Sequence, residues 1–285
     1  MRLTIRDIRK MKTGNQPIVM LTAYDATSAR ICEAADIPML LIGDSMGMVI
    51  QGHDSTIPVT MEQIVYHCQI VSRVTSRPLL VGDLPFMSYH VSDEQALQNA
   101  ARLVQEGRVE CVKLEGGESV APTIQKIVES GIPVMGHIGL TPQGVNQFGG
   151  FRVQGRKLES ARKLLQDAYA VEKAGAFAMV VELVPSKLAK FITERVSIPT
   201  IGIGAGIGCD GQVQVFHDIL GIFDDFKPRH AKRYAEVGDM MRNAVEDYKN
   251  EVLEETFPAE ENSFDIDESV IEALEQEDEQ LRENS

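Results

Sequence analysis

The sequence predicts a (β/α)8 barrel on three observations. Eight short apolar runs lie between residues 18 and 215. Most are unbroken Val, Ile, Leu and Met, not alternating, which is the pattern of strands covered on both faces in a parallel sheet. The segments between them carry helical spacing and helix-start signals, so strand and helix alternate along the chain. A doubly wound open sheet is the second choice, because eight repeats of this length match the barrel.

The strands are expected at 18–23, 38–43, 78–82, 111–114, 133–136, 178–184, 199–203 and 213–215. Residues 1–12 precede them as a basic, amphipathic helix. Its apolar positions Leu3, Ile5 and Ile8 are broken by charge, so it has no apolar core of a signal peptide. Helices are expected at 26–35, 61–74, 92–106, 120–130, 159–174 and 186–195. Thr60 with Gln63 reads as a capping box, and Ser92 with Gln95 repeats the spacing. Gly107, Gly131 and Gly175 stand where a helix stops before the next strand. After Phe257 the chain turns acidic and poor in aromatics. A weak stripe of Val270, Ile271, Leu274 and Leu281 there predicts a partly disordered tail with one transient helix.

Composition excludes several function classes. The net charge of −14 arises almost wholly in residues 251–285, which hold 14 acids and one Arg. The remaining 250 residues are close to balanced, so the body is neither a basic nucleic-acid binder nor a membrane-surface protein. Trp is absent and aromatics are 6%, which points to an aliphatic interior and away from base stacking. No apolar run is long enough to span a bilayer. The four cysteines, Cys32, Cys68, Cys111 and Cys209, have no CxxC or metal spacing and read as reduced thiols of a cytoplasmic protein.

The chemistry is expected where the strands end, because the C-terminal rim of such a barrel is its active face. The polar residues there are Asp25, Asp44 with Ser45, Asp83, Lys113 with Glu115, His137 and Glu182. Lys113 and Glu115 are two apart and share a strand face. Burying both is costly unless they meet each other, a metal or a ligand. Asp44, Asp83 and Glu115 are hard oxygen donors without cysteine beside them, a set suited to Mg²⁺ more than Zn²⁺. Taken singly, each reads equally well as a carboxylate capping a βα turn. Lys113 either balances charge or holds a substrate carboxylate. Glu182 follows Met179-Val180-Val181, where burial would make it a stronger base, unless a neighbouring cation pairs with it. His137 either bonds a substrate oxygen or is a satisfied structural histidine.

Two further stretches draw notice. Gly202, Gly204, Gly206 and Gly208 suggest a dinucleotide loop, with Asp224 at the usual distance. The GxGxG spacing and the lack of a following helix argue instead for a tight turn or close approach to a ligand. Residues 141–155, rich in Gly and Gln, form a long loop on the active face and read as a lid.

Seven segments together are specific. They are Leu21-Thr22-Ala23-Tyr24-Asp25, Gly43-Asp44-Ser45-Met46-Gly47, Gln51-Gly52-His53-Asp54-Ser55-Thr56, Asp83-Leu84-Pro85-Phe86-Met87, Lys113-Leu114-Glu115-Gly116-Gly117, Gly136-His137-Ile138-Gly139-Leu140-Thr141-Pro142-Gln143 and Ile201-Gly202-Ile203-Gly204-Ala205-Gly206. The chain that carries them closely resembles the ketopantoate (3-methyl-2-oxobutanoate) hydroxymethyltransferase family as far as about Phe264. The resemblance implies a (β/α)8 barrel of the phosphoenolpyruvate/pyruvate type over 1–264, assembled as a homodecamer, with 265–285 an extension that has no family counterpart. It implies metal ligands at Asp44, Asp83 and Glu115, and a catalytic base at Glu182. It implies 2-oxoacid contacts at Ser45, Asp83 and Lys113, with Asp44 and His137 beside them. The implied reaction passes the one-carbon unit of 5,10-methylenetetrahydrofolate to 3-methyl-2-oxobutanoate through a Mg²⁺-stabilised enolate, giving 2-dehydropantoate for pantothenate biosynthesis. Alternatives are another Mg²⁺-dependent 2-oxoacid lyase or aldolase of the same superfamily, or a nucleotide-binding module on the glycine cluster. No folate motif is legible.

Overall fold

A computed structural model describes residues 1–150, 152–223 and 228–283. Eight parallel strands close into a barrel in sequence order. They are β1 (Ile18–Thr22), β2 (Met39–Ile42), β3 (Leu79–Asp83), β4 (Cys111–Lys113), β5 (Val134–Gly139), β6 (Ala178–Glu182), β7 (Thr200–Ile203) and β8 (Gly211–Gln214). The ring shuts where β1 pairs with β8, Ile18 facing Gly211 and Met20 facing Val213. All eight apolar runs became strands. The main departure is β5, which continues through Gly139 and so carries His137 inside the strand, not past its end.

Local signals explain the helices. Thr60 Oγ1 accepts from the Gln63 amide at 3.3 Å, and Gln63 Oε1 accepts from the Thr60 amide at 2.8 Å, starting the Met61–Val74 helix. Ser92 caps Asp93–Gln105 through the Gln95 amide at 3.2 Å. Gly131 and Gly175 end their helices at φ +90° and +96°, as expected of glycine stops. Gly107 differs: the left-handed residue is its neighbour Arg108, at φ +58°. Gly107 is needed for space, since a Cβ there would lie 2.5 Å from the Leu103 carbonyl oxygen. Among the described residues no helix separates β7 from β8, so the glycine cluster is a turn between strands. Gly204 and Gly206 take φ +63° and +79°, and added Cβ atoms would collide with Leu183 and Ser186. That geometry is the tight turn the GxGxG spacing suggested; Asp224 lies outside the described residues.

Two apolar layers hold the barrel. Inside, Met20, Met39, Leu41, Leu79, Val81, Cys111, Met135, Ala178, Val180, Ile201 and Val213 pack against one another. Outside, strands pack on helices through residues such as Leu80, Val112, Ile124, Leu103 and Val181. Each fully buried aliphatic side chain contributes roughly 2 kcal/mol. The N-terminal helix, Ile5–Thr13, closes the bottom. Ile8 is fully buried in the inner layer, and Lys12 Nζ reaches the Ile198 carbonyl at 3.0 Å and Asp210 at 2.9 Å. With one end plugged, a cavity can open only at the strands' C-terminal ends.

The chain divides into two compact units, Met1–Ala235 and Glu236–Ser285. The boundary expected from the family resemblance lies at 264, whereas the two compact units meet at Ala235 and Glu236. The second unit contains helices Val237–Leu253 and Glu268–Glu283, the latter covering the stripe read as a transient helix. No helix among the described residues is long and apolar enough to cross a membrane.

Candidate active site

On β3 to β6 the inner face turns from apolar to ionisable at or near the strand's end. Two residues beyond Val81 comes Asp83; beyond Cys111, Lys113; beyond Met135, His137; beyond Val180, Glu182. With a side-chain period of two, all point inward above the apolar layer. Register then makes them neighbours, for Asp83 pairs with Lys113 across β3 and β4. The result is a cavity of about 580 Å³ over the inner core, lined by Asp44, Ser45, Asp83, Lys113, Glu115, His137 and Glu182 among others. Every residue expected in the metal and substrate set is therefore present in one cavity.

Lys113 is the centre. Its Nζ lies 2.7 and 2.9 Å from the two Asp83 oxygens and 3.7 Å from Glu115 Oε1. Lysine and Asp83 are both buried, at 4% and 1% exposure. Burial disfavours the ammonium, but Asp83, Glu115 and Asp44 outweigh it and hold the lysine charged above its ordinary range. His137 stands between two carboxylates, Nδ1 3.3 Å from Glu115 and Nε2 3.2 Å from Glu182. Among the described residues neither nitrogen makes a well-directed hydrogen bond, so the contacts are ionic. Burial pushes the imidazole down, yet the two carboxylates raise it to about 9. The same pairing, with Lys113, overcomes burial at Glu115 and lowers its pKa. Leu183, next after Glu182, takes φ +45°, a strained turn that ends β6 at the cavity wall.

Asp44 carries the strain of this charge. Burial, then Asp83 and Glu115, push its carboxyl well above the usual range, and burial also raises Asp83. Among the described residues the ion-pair contacts of Asp83, Glu115 and Glu182 are made by Lys113 and His137, so with Asp44 this row holds four carboxylates to two cationic groups, a formal excess of two negative charges. Among the described residues no His, Cys, Asp or Glu group forms a ready metal-holding cluster; the Asp83 carboxylate is instead turned onto Lys113. The donor chemistry nonetheless fits a divalent cation, which supplies the missing two charges to oxygen ligands.

Sequence reasoning missed several residues. Gln143 Nε2 donates to Asp44 Oδ2 at 2.9 Å and to the Leu84 carbonyl at 3.0 Å, and its backbone amide donates to Glu115 Oε2 at 3.0 Å. Tyr89 OH donates to Gln143 Oε1 at 2.7 Å. The loop read as a lid thus begins with a buried clamp, and its Pro142 and Val153 line the cavity; Phe151 lies outside the described residues. Ser45 Oγ meets Tyr24 OH at 2.7 Å. Asp218, Arg229 and His230 also line the cavity. Asp25 does not: it caps the Ala26–Ala34 helix through the Thr27 and Ser28 amides at 2.7 and 2.9 Å. Its capping spacing was the available signal.

The family profile described as ketopantoate hydroxymethyltransferase matches residues 2–260. A Chloroflexus aurantiacus 3-methyl-2-oxobutanoate hydroxymethyltransferase is 55% identical over 267 residues, covering 94% of both chains. A Dehalococcoides mccartyi enzyme of the same name is 54% identical, covering 96% of this chain and 98% of that one. Among solved structures, a putative phosphonomutase from Burkholderia cenocepacia matches with TM-score 0.61 at 14% identity, covering 87% of this chain and all of that one. A 2,3-dimethylmalate lyase, titled a PEP mutase/isocitrate lyase superfamily member, matches with TM-score 0.59 at 15% identity over 86% and 87% of the two chains. These two establish the barrel type. The sequence matches establish more: the chain belongs to the ketopantoate hydroxymethyltransferase family.

Proposed function

We propose that this chain transfers the one-carbon unit of 5,10-methylenetetrahydrofolate to C3 of 3-methyl-2-oxobutanoate, giving 2-dehydropantoate and tetrahydrofolate. The observation that carries the reading is the row Asp83, Lys113, Glu115, His137 and Glu182, in which each charged group touches the next. A 2-oxoacid is an anion with a weakly acidic C3–H, so it needs a fixed cation, a base and relief for charge on its keto oxygen.

Lys113 and Ser45 bind the 2-oxoacid carboxylate, near Asp44 and Asp83. Asp44, Asp83 and Glu115 would hold Mg²⁺, and the formal excess of two negative charges supports a divalent ion there. When bound, it would supply Lewis acidity toward the substrate's keto oxygen. Glu182 takes that proton. His137, held cationic between Glu115 and Glu182, keeps the base aimed into the cavity. The deprotonated C3 forms a bond to the one-carbon unit, whose bonds to the two folate nitrogens break; water supplies the hydroxyl oxygen and one proton, and the proton taken by Glu182 goes to the other nitrogen as tetrahydrofolate departs. A homodecamer in the cytoplasm is the assembly and setting this reading carries from the family resemblance and the four free thiols.

The test is a product assay with 3-methyl-2-oxobutanoate, 5,10-methylenetetrahydrofolate and Mg²⁺, with and without a chelator. Dehydropantoate that forms only with all three supports the proposal. Turnover of a 2-oxoacid that ignores folate would favour the lyase or aldolase reading.

A further inference from the structure

The cavity has two unlike walls. The wall from β2 to β6 carries the paired charges described above. The wall at β8 carries Asp218, on the short helix Phe216–Leu220 that follows the strand. Asp218 is 8% exposed and lines the cavity. Among the described residues its carboxylate accepts no hydrogen bond; Arg233 acts on it through the electrostatic field. Gln214, the last residue of β8, lines the same cavity, and its Oε1 is buried without a hydrogen-bond partner among the described residues. Met48 and Val215 supply apolar surface nearby. A buried carboxylate left without donors is destabilising, so this wall is shaped for a ligand that brings them.

The 2-oxoacid cannot be that ligand. Its polar atoms are all acceptors, and its carboxylate would be repelled by Asp218. The other reactant differs. The pyrimidine edge of a reduced pterin presents a ring N–H beside an exocyclic amino group, two parallel donors on a flat body. A carboxylate accepts such a pair in the same fork it offers to arginine. Resting on the folate-dependent reading above, we propose that the β8 wall seats the pterin ring, with Asp218 accepting its ring N–H and amino group and Gln214 flanking them. The 2-oxoacid and the one-carbon donor then approach from opposite walls, and the methylene lies between them. Burial raises the Asp218 carboxyl only to about 6, so at neutral pH the acceptor form predominates.

The experiment is equilibrium binding of tetrahydrofolate to the full chain and to Asp218→Asn. The amide replaces one acceptor by a donor, and the expected result is a Kd raised about 10- to 100-fold. A tetrahydrofolate analogue bearing 2-oxo in place of 2-amino should bind the unaltered chain about as weakly, and should bind Asp218→Asn no worse, because the amide can accept from the ring N–H and donate to the oxo group. Folate-free deuterium exchange at C3 of 3-methyl-2-oxobutanoate is read on the same samples. A Kd within twofold for both proteins overturns the assignment of Asp218 while leaving the proposed reaction standing. Loss of exchange together with binding in Asp218→Asn also overturns it, since Asp218 would then serve the whole site. Absence of tetrahydrofolate binding to the unaltered chain sinks the folate reading itself.

Discussion

Gln143 Nε2 and Asp44 Oδ2 are joined by a buried 2.9 Å hydrogen bond across 99 positions of sequence. The same side chain is held by Tyr89, and its backbone amide holds Glu115. One loop residue therefore fixes two carboxylates that come from different strands. Groups of this kind orient ligand oxygens, and their loss typically reduces metal affinity or activity by about 10- to 100-fold. Gln143→Ala should show that loss as a raised Mg²⁺ requirement, with folding retained by circular dichroism. Initial rates across a Mg²⁺ titration check it; an unchanged half-saturation would mean that Asp44 needs no such support.

How far the sequence foretold this site has a physical cause. Continuous apolar runs reveal buried strands, and a charge at the end of such a run stands out because its burial demands a partner. Asp83, Lys113 and Glu182 were legible for that reason, and so was the barrel. Gln143 and Tyr89 carry no formal charge and sit in a loop with no period, so nothing in spacing distinguished them. Asp218 follows β8 in a short helix, where an acid in a first turn usually means favourable dipole chemistry. Only the closed ring, which brings β8 beside β1, reveals that it faces the cavity.

Glu182 is the proposed base, and its Oε2 lies 3.2 Å from His137. Glu182→Gln keeps the shape and removes the proton acceptor. Deuterium exchange at C3 of 3-methyl-2-oxobutanoate should fall by about 10²- to 10⁴-fold. Affinity for the 2-oxoacid should change little, because the proposed contact to its carboxylate is Lys113 and not Glu182. Exchange at the original rate would remove Glu182 from the role.

Lys113 joins stability to function. Replacing it with Met leaves Asp83, at 1% exposure, without the ammonium that both its oxygens contact. Breaking a buried pair from one side typically destabilises by about 3–5 kcal/mol. The denaturant midpoint of Lys113→Met should drop accordingly when measured with chelator present. The 2-oxoacid KM should rise in the same variant. An unchanged midpoint would show that Asp83 readily finds another partner or protonates without penalty.

Asp218 should show the opposite balance. Its carboxyl is raised by burial from an ordinary 3.8 to about 6, so the folded chain binds its proton more tightly than the unfolded chain. Between those two values the folded state holds more protons, and stability falls as pH rises through the window. Above pH 6 the full penalty is present. With allowance for water in the cavity it is on the order of 2 kcal/mol. Asp218→Asn, which cannot ionise, should therefore be more stable than the unaltered chain at pH 7, with the gap narrowing toward pH 5. Urea midpoints across that range measure it. A carboxylate that weakens the fold at working pH is retained when a ligand needs it, so a stabilised variant that binds tetrahydrofolate poorly would join both results to one cause. A variant that lost stability at pH 7 would instead make Asp218 part of the framework, held by Arg233.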